Sequence, residues 1–180
     1  MRLTETTVER ELIFSGRVFS VSKDKILLPD GRGAFREWVG HTGGVGVLAV
    51  MDDGTVPLVR QYRYGAGKIT LEIPAGKLES GELPESCGRR ELAEECGLTA
   101  VKFEPLGAIL PAPAYCSEVT YLFLAQGLAK TEGRLDEDEF LEIEYMPFEK
   151  AAEMAARGEI DDAKTVAALM RRWYLCQKKY

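Results

Sequence analysis

Histidine is almost absent: His41 is the only one in 180 residues. A His-rich zinc site is therefore excluded, and a Ser-His-Asp hydrolase would have to take its base from that one position. The four cysteines, Cys87, Cys96, Cys116 and Cys176, form no C-x-x-C pair. They read as reduced, structural residues and not as a disulfide framework or a thiolate metal site. No apolar run approaches the ~18 residues of a membrane span. The polar opening MRLTETTVERELIFSG lacks a signal-peptide core, so a cytosolic protein is expected. Positive charge is also short: 23 Lys and Arg against 29 Asp and Glu leave a formal net charge of −6. The basic residues are scattered, without the footprint that a nucleic-acid backbone requires.

What the chain has in quantity is acid, concentrated in residues 76–98, GKLESGELPESCGRRELAEECGL. Pro84 suits a first helical turn and Gly97-Leu98 is a helix stop, so a helix of roughly three turns is predicted between them. At about 100° per residue, Glu91 and Glu95 share a face and Glu94 sits beside them. Like charges at that spacing repel by roughly 0.2–0.5 kcal/mol per exposed pair, and Arg90 neutralises only part of the charge. The arrangement either sits in water or needs a cation. Carboxylates without His or thiolate favour hard ions, Mg²⁺ or Mn²⁺. Gly81 supplies the turn that brings Glu82 back toward the same face. Leu83 is a poor N-cap, and Gly88 in mid-helix costs about 1 kcal/mol relative to Ala.

In chain order, short strands over 12–14, 18–21, 25–28 and 35–39, with a Pro29-Asp30-Gly31 turn, point to a small antiparallel sheet. The apolar run 45–51 reads as a buried strand that Asp52-Asp53-Gly54 turns into a hairpin with 56–62. Arg60 and Arg63 frame the end of the second strand. An arginine there is usually solvated, but near a carboxylate–metal cluster its planar fork is a phosphate clamp. A strand over 70–73 leads through Pro74-Ala75-Gly76 into the acidic loop and helix. Strands over 101–109 and 119–125 follow, separated by a segment stiffened by Pro111 and Pro113. A second acidic loop, 133–139, precedes a strand over 141–146. Phe148 begins a helix stopped by Gly158. Asp161 or Asp162 caps a last helix reaching about residue 177, with Val166, Leu169, Met170 and Trp173 at core spacing. The organisation is an N-terminal strand extension over 1–40 and one domain over 41–180.

Gly76, Glu82 and the run Arg90-Glu91-Leu92-Ala93-Glu94-Glu95-Cys96-Gly97-Leu98 resemble the Nudix box at every fixed position. Further pieces resemble the ADP-ribose pyrophosphatase branch of the Nudix hydrolases. They are Leu28-Pro29-Asp30-Gly31, Arg36-Glu37, Val59-Arg60-Gln61-Tyr62-Arg63, Leu71-Glu72-Ile73-Pro74-Ala75-Gly76 and Asp162-Ala163-Lys164-Thr165. Pro113 falls close to where that branch carries its distinguishing proline.

The resemblance implies an α/β protein, an α/β/α sandwich with a mixed sheet, plus a small N-terminal antiparallel sheet exchanged across a homodimer. It implies metal ligation by Glu91, Glu95 and the carbonyl of Ala75, assisted by Glu82 and Glu94, with two or three Mg²⁺ or Mn²⁺ ions per site. Arg90 would hold the carboxylates in place. Arg63 would contact phosphate, and Arg36, Glu72 and Pro113 would serve substrate binding. Glu137 and Glu139 look like the pair supplying a water-activating base and, from Glu139, a further metal contact. The implied reaction is hydrolysis of ADP-ribose to AMP and ribose 5-phosphate. Alternatives are a GDP-sugar, NADH or a flavin dinucleotide as substrate, or a sensor that binds ADP-ribose without cleaving it.

Overall fold

Two tight turns fold the first forty residues into an antiparallel meander of β1 (Thr6–Ser15), β2 (Phe19–Leu27) and β3 (Gly33–His41). The computed structural model describes residues 3–133 and 140–177. Pro29-Asp30-Gly31 turns as its sequence predicts: Gly31 takes a φ of 86° and its N–H donates to the Leu28 carbonyl at 2.9 Å. The strands expected over 18–21 and 25–28 prove to be one. The polar residues between them do not mark a break, because Ser22 and Asp24 are buried. Arg10 bonds both Asp24 oxygens at 3.1–3.3 Å and lies 4.9 Å over the Trp38 ring.

This meander and Leu110–Val119 form one unit of the chain. The Val39 N–H donates to the Tyr115 carbonyl at 2.7 Å and the Ser117 N–H to the Val39 carbonyl at 2.9 Å, tying the proline-bearing segment to β3. His41 uses Nδ1 to accept the Gly43 N–H at 3.0 Å, a contact within the turn that leaves β3.

The second unit comprises Gly44–Ile109 and the chain from Thr120 onward. It contains β4 (Gly44–Ala49), β5 (Thr55–Arg63), β6 (Lys68–Glu72), β7 (Ala75–Lys77), α1 (Pro84–Cys96), β8 (Leu98–Ile109), β9 (Thr120–Lys130), β10 (Leu141–Pro147), α2 (Phe148–Ala156) and α3 (Ala163–Gln177). One sheet runs β7-β4-β9-β8 and another β10-β5-β6. β4 and β9 are parallel while the other pairs are antiparallel, so the sheet is mixed. The expected hairpin of 45–51 with 56–62 does not form. The chain turns at 51–55, but β4 pairs with β7 and β9 whereas β5 pairs with β10 and β6. All six residues of β4 are buried, so no polar face fixes its neighbour.

Alternation sorts the apolar residues into two cores. Val45, Val47, Ala49, Phe123 and Ala125 pack with Leu92 and Cys96 of α1. Leu48, Leu122 and Leu124 pack with Ala151 and Ala155 of α2 and Ala168 and Leu169 of α3. The result is the α/β/α sandwich. Gly88 finds its reason here. A Cβ on it would lie 2.9 Å from Phe103 Cζ and 3.0 Å from Val45 Cγ1, so its absence lets α1 settle onto the sheet. That close approach offsets the helix-propensity cost of about 1 kcal/mol. Of the two caps open for the last helix, Asp162 acts: its Oδ2 accepts the Thr165 N–H at 2.9 Å. No helix among the described residues is long and apolar enough to cross a membrane.

Candidate active site

The edge strand β7 ends one sheet and hands the chain to the loop before α1. α1 starts at Pro84 with no side-chain cap from Leu83 and stops at Gly97, whose φ is 61° and whose N–H donates back to Ala93. Between these ends Glu91 and Glu95 are buried, at 8% and 5% exposure, although isolated glutamates in that state are costly. The Ala75 N–H donates to Glu95 Oε2 at 2.8 Å. Glu91 lies so close over Gly76 that a Cβ there would be 1.8 Å from its Oε1, so a larger residue would displace the Glu91 carboxylate.

Arg90 gathers the acids. Its Nε and Nη2 donate to the two Glu82 oxygens, each at 3.1 Å, and its Nη1 donates to Glu91 Oε1 at 2.7 Å and Glu94 Oε2 at 2.9 Å. Glu82 also accepts the Glu79 N–H at 3.0 Å, closing the loop onto the helix. The hydrogen bond from Arg90 holds Glu82 below the usual carboxylate range, and Glu82 above all raises the proton affinity of Arg90. Three carboxylates share one guanidinium, so negative charge remains in excess. Burial, then the charges of Glu82 and Glu91, push the Cys87 thiol up to about 12. Burial and the charge of Glu95 push Cys96 up to about 12. Both thiols stay protonated, so the donors left are hard oxygens.

A second network lies at the ends of β5 and β6. Arg63 donates to Glu72 through Nε at 2.8 Å and Nη2 at 2.6 Å. Glu72 also accepts from Thr70 Oγ1 at 2.6 Å and Lys164 Nζ at 2.5 Å. Burial alone would raise the Glu72 carboxyl, but Arg63, Lys164 and Thr70 overcome it and leave it at about 2. Arg63 has its proton affinity raised by the hydrogen bond to Glu72 first, and the charges of Glu72, Glu95 and Asp162 add to it. The field of Glu95 thus links the two networks.

The structure therefore brings together Ala75, Glu82, Arg90, Glu91, Glu94 and Glu95, and pairs Arg63 with Glu72. Arg36 and Pro113 belong to the other unit, where Arg36 pairs with Glu5. Glu137 and Glu139 lie outside the described residues. Lys164 and Thr165 were not predicted as site residues because each meets a partner 92 positions away, and Thr70 was not because its partner Glu72 shares its own strand. The Asp162-x-Lys164-Thr165 cap was the available signal.

Among the described residues no three His, Cys, Asp or Glu stand arranged to hold a metal ion. Glu91 Oε1 instead faces Arg90, and Glu95 Oε2 faces the Ala75 N–H. The donor chemistry fits Mg²⁺ or Mn²⁺: buried carboxylates beside a strand backbone, with both cysteines of the helix held as protonated thiols.

Fold and site together define an α/β/α protein with an acidic strand–loop–helix centre suited to anionic substrates through hard cations. The chain belongs to the Nudix family: the NUDIX domain model matches residues 40–169. A Bacillus subtilis protein named ADP-ribose pyrophosphatase is 42% identical over 169 residues, covering 93% of this chain and 91% of its own. A Bacillus methanolicus protein named methanol dehydrogenase activator is 40% identical over 167 residues, covering 92% of this chain and 90% of its own. A solved structure described as an ADP compounds hydrolase is similar at a TM-score of 0.83 and 26% identity, covering both chains in full.

Proposed function

We propose that this pyrophosphohydrolase cleaves the diphosphate bond of ADP-ribose, giving AMP and ribose 5-phosphate. The observation that carries the reading is the burial of Glu91 and Glu95 against the Ala75-Gly76 backbone, with Arg90 shared by Glu82, Glu91 and Glu94. The names of the Bacillus subtilis relative and of the similar solved structure support this substrate class.

In this reading Glu91, Glu95 and the Ala75 carbonyl hold two or three Mg²⁺ or Mn²⁺ ions, with Glu82 and Glu94 assisting. When bound, such ions supply positive charge against the diphosphate oxygens and acidify water. Arg90 keeps the carboxylates converged. Arg63, its fork fixed by Glu72, offers its remaining edge to a phosphate oxygen. Glu137 or Glu139 takes the proton of the attacking water. Purified protein with Mg²⁺ is expected to release AMP from ADP-ribose faster than it cleaves a GDP-sugar, NADH or a flavin dinucleotide. Binding of ADP-ribose without AMP release would overturn the reaction and leave a sensor, and faster cleavage of a competitor would overturn the substrate.

The reading includes a homodimer built through the N-terminal strands. All ten residues of β1 are exposed, and Val8, Leu12, Ile13 and Phe14 among them are 51–61% exposed. An apolar strand left open in this way invites pairing with another chain. Light scattering is expected to give twice the mass of one chain, and Leu12→Glu with Phe14→Glu to give one. A monomeric parent protein would exclude the dimer. Four free cysteines support placing the enzyme in the cytoplasm.

A further inference from the structure

The Asp162-Ala163-Lys164-Thr165 turn at the start of α3 contributes two side chains to β6 and the residue after it. Thr165, fully buried, donates its hydroxyl to Asp162 Oδ2 at 2.5 Å and accepts the Ile73 N–H at 2.9 Å. The strand is thus pinned two residues before Ala75. Lys164 Nζ spans Asp162 Oδ1 at 3.0 Å and Glu72 Oε2 at 2.5 Å.

Glu72 then has all its acceptor positions used. Oε1 takes Arg63 Nε and Thr70 Oγ1, and Oε2 takes Arg63 Nη2 and Lys164 Nζ. The Glu72 side chain is 2% exposed, while that of Arg63 is 42% exposed. Arg63 Nη1 carries no hydrogen bond among the described residues. Arg63, Lys68, Thr70, Glu72, Asp162 and Lys164 line one cavity of about 390 Å³.

We propose that Lys164 is a positioning residue that acts through Glu72 to keep Arg63 available to a substrate phosphate. The proposal rests on the diphosphate reading above. Arg63 and Glu72 alone would form a closed pair in which the carboxylate claims the whole guanidinium charge. A phosphate oxygen approaching Nη1 would then compete with Glu72 and be repelled by it. Lys164 puts a second positive charge on Glu72, weakening both effects, while Asp162 keeps the four-residue cluster neutral. The orientation of Arg63 is set before substrate arrives, which lowers the cost of binding. The contact is made in ground state and transition state alike, so its loss should appear in KM more than in kcat.

The test compares Lys164→Met, Lys164→Arg and Arg63→Ala, singly and as the Met–Ala double variant, in the whole Mg²⁺-loaded protein. Lys164→Met is expected to raise KM for ADP-ribose about tenfold or more with kcat within about threefold, as fits the loss of a charge-assisted contact. Lys164→Arg should recover most of the loss. In the Arg63→Ala background Lys164→Met should add nothing further. Calorimetry with ADP as the probe should show the same weakening of about tenfold, independently of turnover. If Lys164→Met does not fold, Lys164→Gln carries the same expectations. An unchanged KM and ADP affinity, a lowered melting temperature alone, or a full further loss on top of Arg63→Ala would overturn the proposal. A parent protein that binds ADP but does not cleave ADP-ribose would instead overturn the reaction, and the calorimetric comparison would still decide the role of Lys164.

Discussion

Glu91→Gln is expected to lower kcat on ADP-ribose by about 10³-fold while the protein stays folded, and Glu95→Gln to do the same. Each tenfold corresponds to about 1.4 kcal/mol, so the prediction asks each charge for roughly 4 kcal/mol of transition-state stabilisation. That is in the range attributed to carboxylate-held ions at a phosphoryl centre. The amide keeps the shape of the side chain. Its oxygen still accepts from Arg90 Nη1 at position 91, or from the Ala75 N–H at position 95. What disappears is one negative charge. On stability, opposite effects nearly cancel: a hydrogen bond loses its charge assistance, while repulsion among the carboxylates of α1 falls. The melting temperature should therefore stay within a few degrees, roughly 1 kcal/mol for a chain of this length. Kinetics with Mg²⁺ beside thermal melts in chelator separate the two readouts. Parent-like kcat in either variant would remove that residue from the metal set. A large fall in melting temperature would assign it a structural role.

The residues that punctuate the chain made much of this legible. Pro84 and Gly97 bracket α1 as the sequence predicts, Pro29-Asp30-Gly31 turns where expected, and Asp162 starts α3. Each acts on its own neighbourhood, which is what a sequence records directly. Partner choice was less legible. β4 is buried on both faces, so its composition could not show that it pairs with β9, more than seventy residues on, and not with β5. The break expected at 22–24 does not occur, because Asp24, polar in sequence, is a buried acid paired with Arg10 of β1. The acidic centre was readable because its spacing lies within one loop and one helix. Arg63 was readable as a candidate clamp, but its engagement by Glu72 was not, because that pairing depends on how β5 and β6 lie together. Lys164 reaches Glu72 across 92 positions. Gly88 looked like a defect in helix propensity, and became intelligible only once Phe103 and Val45 were seen against it.

Glu72 gives the second large effect, this time on stability. Its carboxyl stands at about 2 in the folded chain against an ordinary value of 4.5. A lowered folded value contributes stability that is fully present above the unfolded value and is lost as pH falls toward the folded one. The window is therefore about pH 4.5 down to about 2, and the difference corresponds to roughly 3 kcal/mol at neutral pH. Glu82 is lowered as well and titrates in the same direction, so the parent melting curve alone does not isolate Glu72. The comparison with Glu72→Gln does. At pH 7 the amide leaves Arg63 and Lys164 around a buried neutral group, and removing one partner of a buried ion pair costs about 3–5 kcal/mol. For a chain of this length that is a fall of roughly 10 °C in melting temperature. As pH drops, the parent loses its advantage, and the two melting temperatures should converge by several degrees between about pH 5 and pH 3. A gap that stays constant across that range would mean that the Glu72 charge does not stabilise the fold. The contacts of Arg63 and Lys164 with the buried Glu72 would then reflect packing alone.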